Sequence, residues 1–296
     1  MTVENKNIHN ALRQIRIPLP KGTLKGFSIS GLATYHQIPE FDFAVDLGEC
    51  PLSAIALNHV FLTHAHGDHS RCLMRHHSLR KMTGISKDAS YYIPECLAES
   101  AKNWIKAEAL FENVPEYKFR YPTIIPLKGK EKHFLSYRKD LAIEAFDVEH
   151  SVPAMGCTLY NYKKKLRPEF FKCSPSELIT LKESGKTITD EVYSPLISFM
   201  GDTKKESFEK NPEVFNSEVL VTECTFIDDN EEEMAKKKSH LHLHDLIHIL
   251  NDFRDSMKCK IIVLNHFSMK YSEKHILETI EAKLPENFKE IVKVLI

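Results

Sequence analysis

The chemistry of this chain is densest at Thr63-His64-Ala65-His66-Gly67-Asp68-His69. Three imidazoles and one carboxylate fall within a few residues, a mix that zinc accepts at roughly 2.0–2.2 Å with little geometric demand of its own. In an extended His-x-His pair both rings point to one side, because side chains repeat every second residue along a strand. Asp68 and His69 are then placed to serve a neighbouring ion. A histidine-rich surface loop is the plain alternative. Three further residues argue against it, because each follows an apolar run: His150 after Leu141–Phe146, Asp202 after Leu196–Met200, and His266 after Ile261–Leu264. Strand-end loops on one edge of a sandwich converge in space, as functional loops usually do.

The elements that must position these residues are short. Phe27–Ser30, Phe41–Asp46 and Asn58–Thr63 read as strands, followed by helices over 70–80 and 95–111. Further strands are expected at Leu141–Phe146, Ala154–Tyr160, Leu196–Met200, Val219–Glu223, Ile261–Leu264 and Ile291–Leu295. Helices are expected at Leu241–Phe253 and 273–283. Strands with helices inserted, then the same theme again, suit two sheets packed face to face with helices outside, in an α/β (α+β) domain. Residues 1–23 read as a polar tail or added arm, and 24–296 as the domain. Residues 161–190, rich in Lys and Ser, read as an excursion from the sheets.

Composition narrows the class. The chain has 296 residues, 42% hydrophobic and 27% charged, enough for one large core. Its formal charge is −1, so any polyanion must be held by a local patch. The seven cysteines show no CxxC spacing and read as reduced thiols of a cytoplasm-like compartment. No 18-residue apolar run or leader-like apolar stretch is present, which argues against a membrane span or secretory signal.

His64, His66, Asp68 and His69 resemble the signature of the metallo-β-lactamase superfamily. Asn265-His266-Phe267-Ser268-Met269-Lys270-Tyr271, Glu223-Cys224-Thr225-Phe226 and Ser239-His240-Leu241-His242-Leu243 are similar to motifs of ribonuclease Z, the tRNA 3′-processing endonucleases. The resemblance is nearest to the short plant-type form, through Phe43-Ala44-Val45-Asp46-Leu47-Gly48, Lys163–Lys165, residues 184–190 and Thr225-Phe226-Ile227-Asp228-Asp229. It implies a four-layer αββα sandwich. His64, His66 and His150 would hold one Zn2+, Asp68, His69 and His266 a second, and Asp202 would bridge them. Mn2+ is an alternative metal, since affinity order and availability both matter. The implied substrate is precursor tRNA, cut to remove its 3′ trailer, and the implied assembly is a homodimer. In place of the family's Pro-x-Lys-x-Arg-Asn loop stands Gly31–Pro39, as in plant-type relatives, which leaves open how CCA-bearing tRNA is told apart. Ser70-Arg71-Cys72 stands where small glycine-rich sequence is usual.

A phosphodiester is already anionic and resists attack. Two metal ions answer this by making hydroxide available near neutral pH and by neutralising phosphoryl charge. Asp68 would orient the nucleophile and accept its proton. His240, with Glu223 holding its other nitrogen, is the candidate acid for the ribose 3′-oxygen, a role worth about 10²–10⁴ in rate. Spacing alone leaves His242 and His244 as rivals, and Ser239 as the better helix cap. Lys163, Lys164, Lys165 and Arg167 are the candidate RNA contacts. Lys236–Lys238, after Glu231–Glu233, reads as a charge-paired turn. Rival functions are a hydrolase of small phosphodiesters or other esters and a non-catalytic RNA-binding scaffold. The intact ligand set argues against the scaffold.

Overall fold

The computed structural model describes residues 13–296. The first sheet is built from β1 (Ile15–Pro18), β2 (Thr23–Ser30), β3 (Ala33–Ile38), β4 (Phe43–Val45), β5 (His59–Phe61), β6 (Ser90–Pro94) and β7 (Thr123–Leu127), in that order across the sheet. The second contains β8 (Lys132–Leu135), β9 (Arg138–Val148), β10 (Ala154–Leu166), β11 (Thr189–Phe199), β12 (Val219–Glu223), β13 (Ile261–Asn265) and β15 (Val292–Val294), ordered 15-13-12-11-10-9-8. A short strand β14 (Phe267–Ser268) leaves the second half of the chain and pairs with β2, which ties the halves together. The helices are α1 (Gly67–Ser70), α2 (Leu73–Met82), α3 (Ala98–Phe111), α4 (Pro175–Glu183), α5 (Glu206–Lys210), α6 (Glu232–Lys238), α7 (Leu243–Phe253), α8 (Glu273–Lys283) and α9 (Glu286–Lys289).

Alternation of side chains sorts the core into layers. Phe43 and Val45 of β4 join Val219 and Val221 of β12 and Val263 of β13 between the sheets. Ala44, Val60 and Tyr91 point the other way, onto Leu73 and Met74 of α2 and Ile105 of α3. Leu220, Ile262 and Leu264 face outward onto Leu243, Leu246 and Leu250 of α7 and Ile276 and Ile280 of α8. The result is the four-layer αββα sandwich.

Several boundaries differ from the sequence reading. Ile15–Pro18 pairs antiparallel with β2, so the later part of the expected tail is sheet; residues 1–12 lie outside the described residues. β3 was not anticipated because Thr34, His36 and Gln37 make the segment read as polar, although all six of its residues are buried. The helix expected over 70–80 is broken between α1 and α2, and the one expected from 95 starts at Ala98 after a 3₁₀ turn. The helix expected from Leu241 starts at Leu243, capped by the His242 side chain rather than by Ser239, which instead ends α6 with φ 60°. Residues 161–190 are an outgrowth of the sheet. β10 and β11 run on as a ribbon from Asn161 opposite Ser194 to Leu166 opposite Thr189, and α4 sits between them behind a Ser174–Glu177 capping box. Pro195 is tolerated in β11 because the register shifts there, opposite Leu159 and Tyr160.

Candidate metal centre

β9 runs parallel to β11 through the intervening antiparallel β10, and β11, β12 and β13 are mutually parallel. Their C-terminal ends therefore share one edge, where β9 delivers His150, β11 Asp202, β12 Glu223 and β13 His266. β5, parallel to β4 in the other sheet, delivers His64 onward. Two tight approaches hold this edge. A Cβ on Gly48 would lie 1.7 Å from the Asp68 carbonyl oxygen, so only glycine fits. Gly201, at φ +65°, turns the chain against Thr63 and aims Asp202 inward.

His64, His66, His150 and Asp202 present ligand atoms all within 4.8 Å of one another; Asp68, His69 and His266 form a second such group. Asp202 lies between them. Its Oδ2 is 3.8 Å from His64 Nε2, 3.9 Å from His150 Nε2 and 3.4 Å from His266 Nε2, while its Oδ1 is 3.4 Å from His69 Nε2. Asp68 Oδ2 is 3.6 Å from His266 Nε2 and accepts from the Gly31 N–H at 2.7 Å. All seven ligand candidates read from the sequence thus meet at one place.

The protons of these rings indicate what the cluster is for. His69 Nδ1 donates to Asp46 Oδ2 (2.7 Å), and His150 Nδ1 to the Ser239 carbonyl (2.9 Å). The Thr63 hydroxyl donates to Asp46, so it accepts from His64 Nδ1 (3.0 Å). Thr225, whose hydroxyl donates elsewhere, accepts from His266 Nδ1 (3.0 Å). A neutral imidazole carries one N–H, so the inward nitrogens of His64, His150 and His266 hold lone pairs when those rings are neutral. Yet His64 Nε2 and His66 Nδ1 are 3.0 Å apart, and His69 Nε2 and His266 Nε2 3.2 Å. Ring nitrogens that face one another so closely are satisfied by a shared proton or by a cation, and imidazole nitrogen with carboxylate oxygen is a donor set for divalent metal. Burial, then the neighbouring His69, holds the His64 pKa well below the usual value, whereas at His69 burial is outweighed by Asp202 and Asp46, which raise its pKa well above it. Asp202 is buried, which alone would raise its pKa, but His266, His69 and His64 pull it well below the carboxylate range.

Asp46, Thr63 and Thr225 are the positioning residues that sequence reasoning missed. Asp46 accepts from Thr63 N–H, Thr63 Oγ1 and His69 Nδ1 at once. Its place at the end of an apolar strand was the one available signal; the structure adds that it takes φ 61° there.

Three histidines compete on spacing near 240, and geometry separates them. His242 is committed as a cap, accepting from His244 N–H (3.1 Å) and donating to the Asp228 carbonyl (2.9 Å). His244 is exposed and pairs with Glu232 at 3.1 Å. His240 lies over the metal cluster, its ring 5.1 Å from His150 and 5.4 Å from His266. Its Nδ1 donates to Glu223 Oε1 at 3.0 Å. Burial lowers the His240 pKa, but Glu223 and Asp202 outweigh that and raise it to about 9. Glu223 also accepts from the N–H groups of Thr203 and Leu241, which pins the carboxylate. Of the other histidines, His36 is buried behind the cluster, 2.8 Å from Asn265 Nδ2, and His76 is bonded within the core; His9 lies outside the described residues.

The basic residues are placed unevenly. Lys163, Lys164 and Lys165 are exposed and have no ion-pair partner among the described residues, but strand alternation puts Lys164 on the opposite face. Arg167 is tied to Asp190 at 2.7 Å. Lys236 pairs with Glu233 within α6. Ser70 and Arg71 act as clamps: the Ser70 hydroxyl donates to the Ala65 and His66 carbonyls, and the Arg71 guanidinium to the Leu32 carbonyl.

Comparison with known proteins settles the family. The chain is 30% identical over 265 residues to tRNase Z TRZ1 of Arabidopsis thaliana, covering 88% of this chain and 91% of that one. The chain belongs to the ribonuclease Z family. A second relative of this ribonuclease Z, the chloroplastic tRNase Z TRZ2 of the same plant, is 29% identical over 99% of this chain and 79% of its own length. A wheat relative is named a nuclear ribonuclease Z, so family membership carries no compartment. Among solved structures, the short form of human tRNase Z aligns with a TM-score of 0.57 at 17% identity, covering 91% and 93% of the two chains. The metallo-β-lactamase fold protein YhfI of Bacillus subtilis aligns at 0.56 and 13%, covering 90% and 92%; both show the fold. No family model matches the chain. Among the described residues, no helix is long and apolar enough to cross a membrane.

Proposed function

We propose that this ribonuclease Z removes the 3′ trailer from precursor tRNA, working with two zinc ions. What carries the reading is the convergence of His64, His66, His150, Asp68, His69, His266 and Asp202 on one sheet edge, with His240 beside them. Those residues would hold the pair, Asp202 between the two. When bound, such a pair lowers the pKa of water and neutralises charge on phosphoryl oxygens. Asp68, fixed by the Gly31 N–H, orients the attacking water and takes its proton. His240, kept protonated by Glu223, gives a proton to the departing ribose 3′-oxygen. Lys163 and Lys165 grip phosphates away from the cut, and the protein works as a homodimer.

The test is to load the protein with zinc, measure metal per chain, and map the cut in a 3′-extended pre-tRNA. A single cut after the discriminator nucleotide, leaving a 3′-hydroxyl, with two ions per chain is the expected result. Turnover of a chromogenic phosphodiester without any pre-tRNA cleavage would replace this reading with that of a small-phosphodiester hydrolase.

A further inference from the structure

One cavity borders the metal loop. It measures about 400 Å³, within the roughly 300–1,000 Å³ usual for ligand sites. His64 and Gly67 of the metal loop form one wall; Leu62, Ile93, Leu97 and Trp104 form most of the rest. Leu62 and His64, just beyond the end of β5, both line the cavity, so the apolar wall continues into the metal loop. A Cβ built on Gly67 would meet nothing within 4 Å, so the protein leaves this side open.

The chemistry of the lining selects its occupant. A phosphate or a ribose gains little from leucine, isoleucine and tryptophan. A nucleobase has an apolar face that stacks on an aromatic ring, and such stacking tolerates any base. Ser100 lies at the wall and carries a hydroxyl, and Arg71, which holds the Leu32 carbonyl through one of its nitrogens, lies there too. We propose that this cavity takes a nucleobase adjoining the scissile phosphate, with Trp104 as its stacking face. The inference rests on the ribonuclease reading and deepens it by assigning a base subsite next to the ions.

Trp104 is the only tryptophan in the chain, so its emission reports this cavity alone. The experiment titrates the metal-loaded protein with a pre-tRNA whose cleavage site carries a non-hydrolysable methylenephosphonate. Emission is expected to be quenched. An abasic nucleotide placed 5′ or 3′ of the cut, in separate substrates, removes the quench in the one case where the missing base is the occupant. Trp104→Ala should raise KM for cleavable pre-tRNA by about 5- to 100-fold with a much smaller change in kcat, and Trp104→Phe should restore most of it. The subsite is overturned if pre-tRNA is cut normally while emission is indifferent to both abasic substitutions, or if Trp104→Ala leaves KM within about twofold. The titration uses the unaltered protein, so it decides the matter even if the alanine variant folds poorly. Absence of cleavage of any pre-tRNA by the unaltered protein removes the ribonuclease reading itself, and this subsite with it.

Discussion

The two sheets supply the metal cluster in different ways. The first delivers His64, His66, Asp68 and His69 from one loop after β5, so their mutual placement is local. The second delivers His150, Asp202, Glu223 and His266 one at a time, from the ends of β9, β11, β12 and β13, so their placement depends on topology and register. A contiguous motif survives almost any tilt of the sheets against each other. The scattered set does not. Asp202 is the residue that makes the two contributions one site, because it faces nitrogens from both.

That contrast can be broken by substitution. Asp202→Ala should empty both positions and reduce cleavage by more than the roughly 10–100-fold that losing an outer partner costs; His66→Ala should lower metal content from two ions per chain to one. Elemental analysis of the two variants checks this, and equal losses would mean that the groups are not separable. His240→Ala should cut kcat by about 10²–10⁴ with metal content unchanged, and full activity would remove it from the mechanism. The acid must be protonated, so in the unaltered enzyme kcat should fall as pH rises through an alkaline limb. The limb belongs at or below about 9, since bound cations oppose the protonation that Glu223 favours. Its persistence in His240→Ala would assign it elsewhere.

Smaller effects sharpen the comparison. Asp46→Ala on the first sheet and Thr225→Val on the second each remove the partner of one ring, His69 and His266 respectively. Each should weaken metal binding by about 10–100-fold in a chelator competition. A much larger loss for Thr225→Val would show the scattered half to be the more fragile. Least of all, Lys163→Ala and Lys165→Ala should each raise KM for pre-tRNA and reduce the slope of log affinity against log salt by about 1. A parallel shift with unchanged slope would mean that they contact no phosphate.

Legibility in the sequence followed the same division. The His-x-His-x-Asp-His loop is readable because neighbours in the chain are neighbours in the site. His150, Asp202 and His266 were readable because each ends an apolar run, and a resemblance linked them. The choice among His240, His242 and His244 was not readable, since all three recur at one spacing; it is decided by the Asp228 carbonyl and Glu223, which come from elsewhere in the fold. Asp46 and Thr225 act through hydrogen bonds to rings distant in sequence and Thr63 through its neighbour His64; of the three, only Asp46, at the end of an apolar strand, carried a local signal. β3 reads as polar through Thr34, His36 and Gln37 although it is buried, and Arg167 counted as a free cation although Asp190 pairs with it across the ribbon.

The ribbon itself has a consequence for what the enzyme would accept. Beyond Asn161, the last β10 residue paired with β9, the ribbon strands advance at about 3.4 Å per residue, which carries Leu166 on the order of 17 Å from the body of the sheet. Under the proposed role, a molecule must be long and stiff to touch that outpost and the cutting centre together, and a dinucleotide or a floppy oligomer gains nothing from it. Trimming the ribbon back to Tyr160 and Pro195 would then yield a less choosy enzyme, one that cuts short esters as before but no longer measures the body of a transfer RNA.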